Sequence, residues 1–258
     1  MKIRLIRNAT LLLDYAGHHI LIDPYFSARH ALPSFTGKSR NPVVDLTLPP
    51  EQIMLGVELV LVSHLHSDHF DGAAQALIPK NWPLLCQPDN KRAIRRKGFI
   101  QVAAVAESFA WHNLRVSRTA GHHGTGEVEA LMGSVAGFVF EAPGEPVLYW
   151  AGDTILCEEV EAAIVRYQPG VVVTHSCGAT WPDAAGQRSL IVMDAAQTIA
   201  TCRLVPGAKV IATHMEALDH ATVTRAELRQ QARQAGIDDE QLLIPADGET
   251  LQPSADKQ

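Results

Sequence analysis

Ser63-His64-Leu65-His66-Ser67-Asp68-His69 follows the apolar run Val57 to Val62, which only Glu58 interrupts. A short run rich in Val and Leu reads as a buried strand, so the polar cluster falls where that strand passes into a loop. Three imidazoles and a carboxylate crowd the span from His64 to His69. A solvated turn needs none of them, whereas imidazole and carboxylate together are ligands of zinc, manganese and iron. On an extended chain residues i and i+2 point the same way, so His64 and His66 can grip one ion. Asp68 and His69, past the bend, can face a second.

The pattern of an aliphatic strand ending in a potential ligand recurs along the chain. Ile20-Leu21-Ile22 ends in Asp23-Pro24. That carboxylate is either a turn-former or a partner that orients a metal-bound imidazole. The strand-like Leu114 to Arg118 leads into Ala120-Gly121-His122-His123-Gly124-Thr125-Gly126. Glycines on both sides let the backbone bend tightly and bring an imidazole against a buried centre. One of His122 and His123 is a candidate third ligand and the other its neighbour. A hairpin of residues 134–141 and 146–151 runs into Gly152-Asp153-Thr154, ahead of a helix over 155–168. Asp153 is therefore a helix cap or a bridge between two cations. Val171-Val172-Val173 leads to His175, and Val210-Ile211-Ala212 leads to His214. Strand ends that carry His or Asp in this way imply one shared locus at one edge of the sheets.

The intervening chain supplies the frame. Residues 3–13 and 19–23 read as a hairpin around Tyr15 to His19, with His18 and His19 as exposed turn residues. Residues 25–50 carry four prolines and little periodicity; a loop this long is a functional cover or an uninvolved excursion. Tyr25, Phe26, Arg29, His30, Phe35, Lys38 and Arg40 would suit a cover. Helices are expected over 72–80, 90–97 and 194–204, and another from Thr224, whose capping box with Glu227 opens a helix to Ala235. Further strands are expected over 84–87, 100–105 and 242–245. The basic helix carrying Lys91, Arg92, Arg95, Arg96 and Lys97 reads as a solvated face.

With 258 residues and 47% hydrophobic content the chain can bury one large core. We expect a single domain over 1–252 and a frayed tail over 253–258. A net charge of -6 gives no basic field for nucleic acid or an anionic membrane, and points to a small-molecule substrate. No apolar run approaches the roughly 20 residues that span a bilayer. The N-terminus alternates charge with aliphatic residues and lacks a signal peptide's apolar core, so a cytoplasmic location is expected. Cys86, Cys157, Cys177 and Cys202 are scattered and read as free thiols in a reducing compartment. Cys177, close behind His175, is left open for a role, and so is assembly into a homo-oligomer.

His64-Leu65-His66-Ser67-Asp68-His69 is similar to the HxHxDH signature of the metallo-β-lactamase superfamily, and Asp23, the Gly-flanked histidine, Asp153 in Ala-Gly-Asp-Thr and His214 follow in that family's order. The stretches His123-Gly124-Thr125-Gly126 and His214-Met215-Glu216-Ala217-Leu218 resemble most the branch related to ascorbate-6-phosphate lactonase. The resemblance implies an α/β (α+β) fold, a four-layer αββα sandwich. It also implies two divalent ions, zinc first, with manganese or iron as alternatives. His64, His66 and His123 would hold one, and Asp68, His69 and His214 the other. Asp153 would bridge them and Asp23 would support the imidazoles from behind. The family places its ligand just before the glycine, which selects His123 over His122. His122, His175 and His220 remain possible substrate contacts.

Cations about 3.5–4 Å apart lower the pKa of a bridging water towards neutrality, giving a hydroxide that attacks a carbonyl or phosphorus centre while Asp68 orients it. The expected activity is hydrolysis of a small ester, lactone or phosphate-containing substrate. The alternatives are a phosphodiesterase or nuclease on the same centre, or a non-catalytic metal-binding protein.

Overall fold

The computed structural model describes residues 1–253. The first sheet begins with β1 (Lys2–Arg7), β2 (Thr10–Tyr15) and β3 (His18–Ile22), joined by tight turns. The run over 3–13 is thus two strands and not one. Asn8, at φ 59, makes the reversal that alternation of apolar residues conceals, since Asn tolerates the left-handed region. His18 and His19 lie in β3, because the turn is Ala16-Gly17, both with positive φ as a two-residue hairpin turn demands. His18 binds Glu58 and Asn113, and His19 meets Asp14.

After β3 the chain crosses to β4 (Leu59–Val62) by way of the short helix α1 (Pro50–Ile53). Helix α2 (Gly72–Leu77), β5 (Leu84–Cys86), α3 (Lys91–Arg96) and β6 (Val102–Ala104) complete this half. Strands β3 to β6 are parallel. Near the C-terminus β16 (Thr250–Leu251) returns to pair with β1, closing a seven-stranded sheet.

The second sheet repeats the plan. Strands β7 (Ser108–Trp111), β8 (Leu114–Thr119), β9 (Gly137–Glu141) and β10 (Leu148–Trp150) form an antiparallel run. Strands β11 (Val171–His175), β14 (Lys209–Thr213) and β15 (Leu242–Leu243) extend it in parallel. Helices α4 (Gly126–Met132), α5 (Glu158–Tyr167), α6 (Ala195–Leu204) and α7 (Arg225–Gln234) belong to this half. The pair β12 (Thr180–Pro182) and β13 (Arg188–Leu190) stands apart. Helices α1 and α4 and strands β7, β12, β13 and β16 escape the sequence reading; each is too short for its apolar pattern to mark it.

The two sheets face one another across a core that includes Leu13, Tyr15, Leu61, Phe138, Trp150 and Val173. Helices α5, α6 and α7 pack on the outer face of the second sheet, and α1, α2 and α3 cover the first. The molecule is therefore the αββα sandwich that the family resemblance implies. The capping box at α7 is present, with Thr224 and Glu227 exchanging hydrogen bonds. In α3, Ile94 is buried while Arg92, Arg95, Arg96 and Lys97 are exposed, a solvated face as expected. All four cysteines are free. Among the described residues no helix is long and apolar enough to cross a membrane. Of the expected tail, Pro253 is buried and residues 254–258 lie outside the described residues.

The segment between β3 and α1 is irregular but pinned. Buried Arg7 donates to the carbonyls of Tyr25, Ser27 and Val44. Asp71, the N-cap of α2, accepts from the amides of Phe26 and Ser27. Asp219 accepts from Ser34, Thr36, Asn41 and the Phe35 amide. Of the seven side chains suited to a cover, Phe35 alone lines the central cavity. Phe26 is buried in the core between the first sheet and its helices, Tyr25 in a small cluster with Ala217 and Leu218, and Arg40 is bonded to the carbonyls of His30 and Ala31.

Candidate metal centre

Every potential ligand sits where a strand runs out. Asp23 follows β3, His64 follows β4, His123 follows β8, Asp153 follows β10, His175 ends β11 and His214 follows β14. The carboxyl ends of parallel strands are where an open α/β sheet leaves a crevice, and here two such sheets open to the same side.

Asp153 is the hub and is buried. Its Oδ2 lies 3.1 Å from His69 Nε2, 3.5 Å from His123 Nε2 and 3.8 Å from His64 Nε2. Its Oδ1 lies 3.7 Å from His214 Nε2 and 2.5 Å from His175 Nδ1. Asp68 Oδ2 stands 3.1 Å from His214 Nε2 and 3.6 Å from His69 Nε2. The His66 ring packs 4.5 Å from that of His64 and 5.2 Å from that of His123, centroid to centroid. Three overlapping groups of metal-competent atoms result among the described residues of the centre: His64, His66, His123 and Asp153; His69, His175, His214 and Asp153; and Asp23, His64 and His69. Asp68 stands beside the second group without joining it.

The opposite nitrogens explain the arrangement. His69 Nδ1 is held at 2.7 Å by Asp23 Oδ2, and His123 Nδ1 at 2.6 Å by the Ile191 carbonyl. His64 Nδ1 meets Ser63 Oγ at 2.9 Å, and His214 Nδ1 meets Cys177 Sγ at 3.6 Å. In each ring the far nitrogen has a partner, so Nε2 is the one turned inward, as in metal sites. His64 Nε2 is buried with no hydrogen-bond partner. Imidazole lone pairs aimed at carboxylate oxygens repel unless a proton or a cation lies between. The donor set, all nitrogen and oxygen and short of positive charge, fits divalent metal ions.

The charge balance says the same. Burial disfavours a cation at His69, but Asp153, Asp68 and Asp23 outweigh it and raise its pKa to about 10. His214 is likewise raised, against burial, chiefly by Asp153. Burial lowers His64, and lowers His123 to about 4. Burial opposes the charge on Asp68 and Asp153, yet the neighbouring histidines hold both well below the usual carboxylate range. The carboxylates thus stay ionised and demand positive charge between them.

Asp23 is a partner of imidazole, not merely a turn-former: it also accepts from the Ser63 amide at 2.7 Å and Ser63 Oγ at 2.6 Å. Asp153 is not a helix cap, since α5 is capped by Cys157 four residues on. The three residues considered as substrate contacts part company. His220 lines the cavity, its Nδ1 without a partner and its ring edge-on to Phe35. His175 is sealed beneath Asp153 and against Trp150, and reversed relative to the other rings, with Nδ1 inward and Nε2 orphaned. His122 turns away to Glu129 and Glu159, leaving His123 as the one that faces the centre.

Sequence reasoning missed Ser63, Asn8, whose Nδ2 donates to the Asp68 carbonyl while its own carbonyl accepts from the His214 amide, and the Ile191 carbonyl. Only Asn8 left a trace, as a polar residue breaking an aliphatic run. Gly124, at φ +118, lets the chain turn immediately after His123 where Val128 and the Glu129 amide press close. Above the centre lies a cavity of about 210 Å³ lined by His66, Asp68, His123, Asp153 and His220, with apolar walls from Phe35, Met132, Trp181 and Ile191.

A beta-lactamase superfamily domain matches residues 18–215. The chain is 34% identical to the UPF0173 protein YddR of Bacillus subtilis over 97% of this chain and 99% of that one. It is 26% identical to a UPF0173 metal-dependent hydrolase of Xanthobacter autotrophicus over 67% of this chain and 70% of the relative. Among solved structures, an isothiocyanate hydrolase from Delia radicum gut bacteria superposes with a TM-score of 0.90 at 36% identity, covering 99% of this chain and 100% of that one. A possible metal-dependent hydrolase from Veillonella parvula superposes with a TM-score of 0.92 at 32% identity, covering 97% and 98%.

Proposed function

The chain belongs to the beta-lactamase superfamily and is a metal-dependent hydrolase of that fold, for which we propose a small, neutral electrophile with an apolar substituent as substrate, isothiocyanates first. The observation that carries this reading is the cavity: four apolar walls, and, among the described residues lining it, no Lys or Arg. A phosphorylated substrate is ordinarily met by a cation or a fork of guanidinium donors. The lactonase resemblance therefore ranks second, restricted to unphosphorylated esters and lactones. The basic helix α3, the one feature favouring a phosphodiester, lines a separate surface depression with Pro88.

His64, His66 and His123 would hold one ion and Asp68, His69 and His214 another, with Asp153 shared between them. Bound there, divalent cations would supply Lewis acidity and acidify water near neutral pH. The chain's own groups do the rest. Asp68, ionised and lining the cavity, accepts a hydrogen bond from water and orients it. Phe35, Met132, Trp181 and Ile191 hold the apolar substituent and exclude bulk solvent. His220 offers its unpartnered Nδ1 to the polar end of the substrate. For an isothiocyanate the net change is R–N=C=S + H₂O → R–NH₂ + O=C=S: a C–O bond forms, the C–N bond breaks, and both water protons end on nitrogen.

The test is a panel of aryl and alkyl isothiocyanates, simple lactones and phosphodiesters, assayed on chelator-treated and metal-reloaded protein. Isothiocyanates turned over by the reloaded protein alone support the reading. Turnover confined to phosphodiesters overturns it.

A further inference from the structure

We propose a third divalent-cation site on the flank of the molecule, a thiolate-containing one built from His122, Cys157 and Glu159, with Glu129 orienting the imidazole. The three ligand atoms lie within 4.8 Å of one another, and all three residues are half-buried. His122 Nε2 already stands 3.1 Å from Glu159 Oε1. A tetrahedral ion with bonds of about 2.0–2.3 Å sets its ligand atoms roughly 3.3–3.8 Å apart, so small side-chain rotations close the set.

Two features distinguish this from surface residues that happen to meet. His122 Nδ1 is bonded to Glu129, a carboxylate–imidazole pairing that holds the ring with Nε2 towards Glu159, so that Nε2 is the nitrogen that would exchange its proton for the metal. The two backbone segments are also clamped together: the His122 amide donates to Thr154 Oγ1 at 2.9 Å, and the Ile155 amide donates to the His122 carbonyl at 2.9 Å. The imidazole and the thiol are thus presented by one rigid unit. Cys157 caps α5 without using its side chain for the cap, and Sγ lies 3.8 Å from Thr154 Oγ1.

Three protein ligands with a position open to solvent suit zinc or cobalt; binding forms S–metal and N–metal bonds and releases the thiol proton together with the proton that His122 Nε2 directs at Glu159. The set is separate from the central ligands, yet His122 adjoins His123 in the chain and Cys157 lies four residues beyond Asp153. Occupancy would therefore stiffen both loops that carry central residues. The proposal stands independently of the substrate.

Cobalt is added to the purified enzyme, and the thiolate-to-cobalt charge-transfer band in the near ultraviolet is followed. The wild type is expected to show the band and to bind one equivalent more than Cys157→Ser, which lacks it. Cys177→Ser, which removes the thiol beside His214, should keep the band. Glu129→Gln, a substitution at a half-exposed position, should weaken cobalt at this site by about 10–100-fold. Absence of a band in the wild type, or a band lost in Cys177→Ser and kept in Cys157→Ser, would overturn the assignment; so would wild-type affinity in Glu129→Gln.

Discussion

Asp23→Asn isolates the support behind the centre without changing its shape. Asp23 is fully buried, and its Oδ2 accepts from both His69 Nδ1 and Ser63 Oγ, at 2.7 and 2.6 Å, while Oδ1 accepts from the Ser63 amide. An amide at this position keeps the Ser63 amide bond through its oxygen but turns an NH₂ towards His69 Nδ1. Ser63 Oγ can rotate to accept. His69 must either bury an unpaired N–H beside another donor or give up its Nδ1 proton and keep the one on Nε2, the nitrogen that faces Asp153. The first outcome costs about 1–3 kcal/mol of stability, the usual penalty of an unsatisfied buried donor. The second blocks the inward lone pair, and loss of such a supporting carboxylate weakens metal by about 10–100-fold. Urea unfolding of chelated protein reads the first quantity, and zinc competition against a chromophoric chelator reads the second. Wild-type values in both assays would show that Asp23 does not set the orientation of His69, and the reasoning from paired ring nitrogens would be refuted.

His66→Ala should leave the fold intact, lower the bound metal and abolish turnover rather than raise KM alone; elemental analysis with steady-state kinetics checks this. Metal binding should release protons at neutral pH, because the pKa values of metal-free His69 and His214 are raised; affinity then rises with pH, and calorimetry in buffers of different ionisation enthalpy reads the proton count, zero being the contrary result. Gly137→Ala should cost about 1–3 kcal/mol in denaturant unfolding, since overpacking forces shifts and a Cβ there meets Thr119 Oγ1 at 2.5 Å and the Ala151 carbonyl at 2.8 Å. Burial tends to raise Asp219, but donors from Ser34, Thr36, Asn41 and Phe35 outweigh it and leave its pKa lowered. Its contribution is thus complete above the ordinary value of 3.8 and is lost as pH falls through the lower folded value. Asp219→Asn should remove that acid-side loss of stability, and an unchanged acid limb would contradict it.

The stations of the centre were legible because each pairs an aliphatic strand with an imidazole or carboxylate at its end, a pattern that a buried sheet does not otherwise tolerate. Periodicity also found the longer elements that bury an apolar face, among them β4, α5, α6 and α7. It failed where packing, not pattern, decides. The Asn8 reversal looks like one continuous strand, and β12 and β13 hold each other through a local pairing whose side chains are only half-buried. His122 and His123 differ in what stands opposite each ring, Glu129 and Glu159 for one and Asp153 for the other, a matter of tertiary contact that no local pattern carries. The apolar walls came from three separate segments, Trp181 and Ile191 sharing the β12–β13 hairpin, and no local signal joins Phe35 to Trp181 or Met132 to Ile191.

The central claim is that side chains from distant strand ends share one metal centre. Anomalous diffraction from crystals of zinc-loaded protein tests it most directly. The account predicts density within bonding distance of His64 and His123 Nε2 and of His69 and His214 Nε2, on either side of Asp153. Zinc-dependent hydrolysis by a protein whose crystals carry no anomalous density around Asp153 would contradict it.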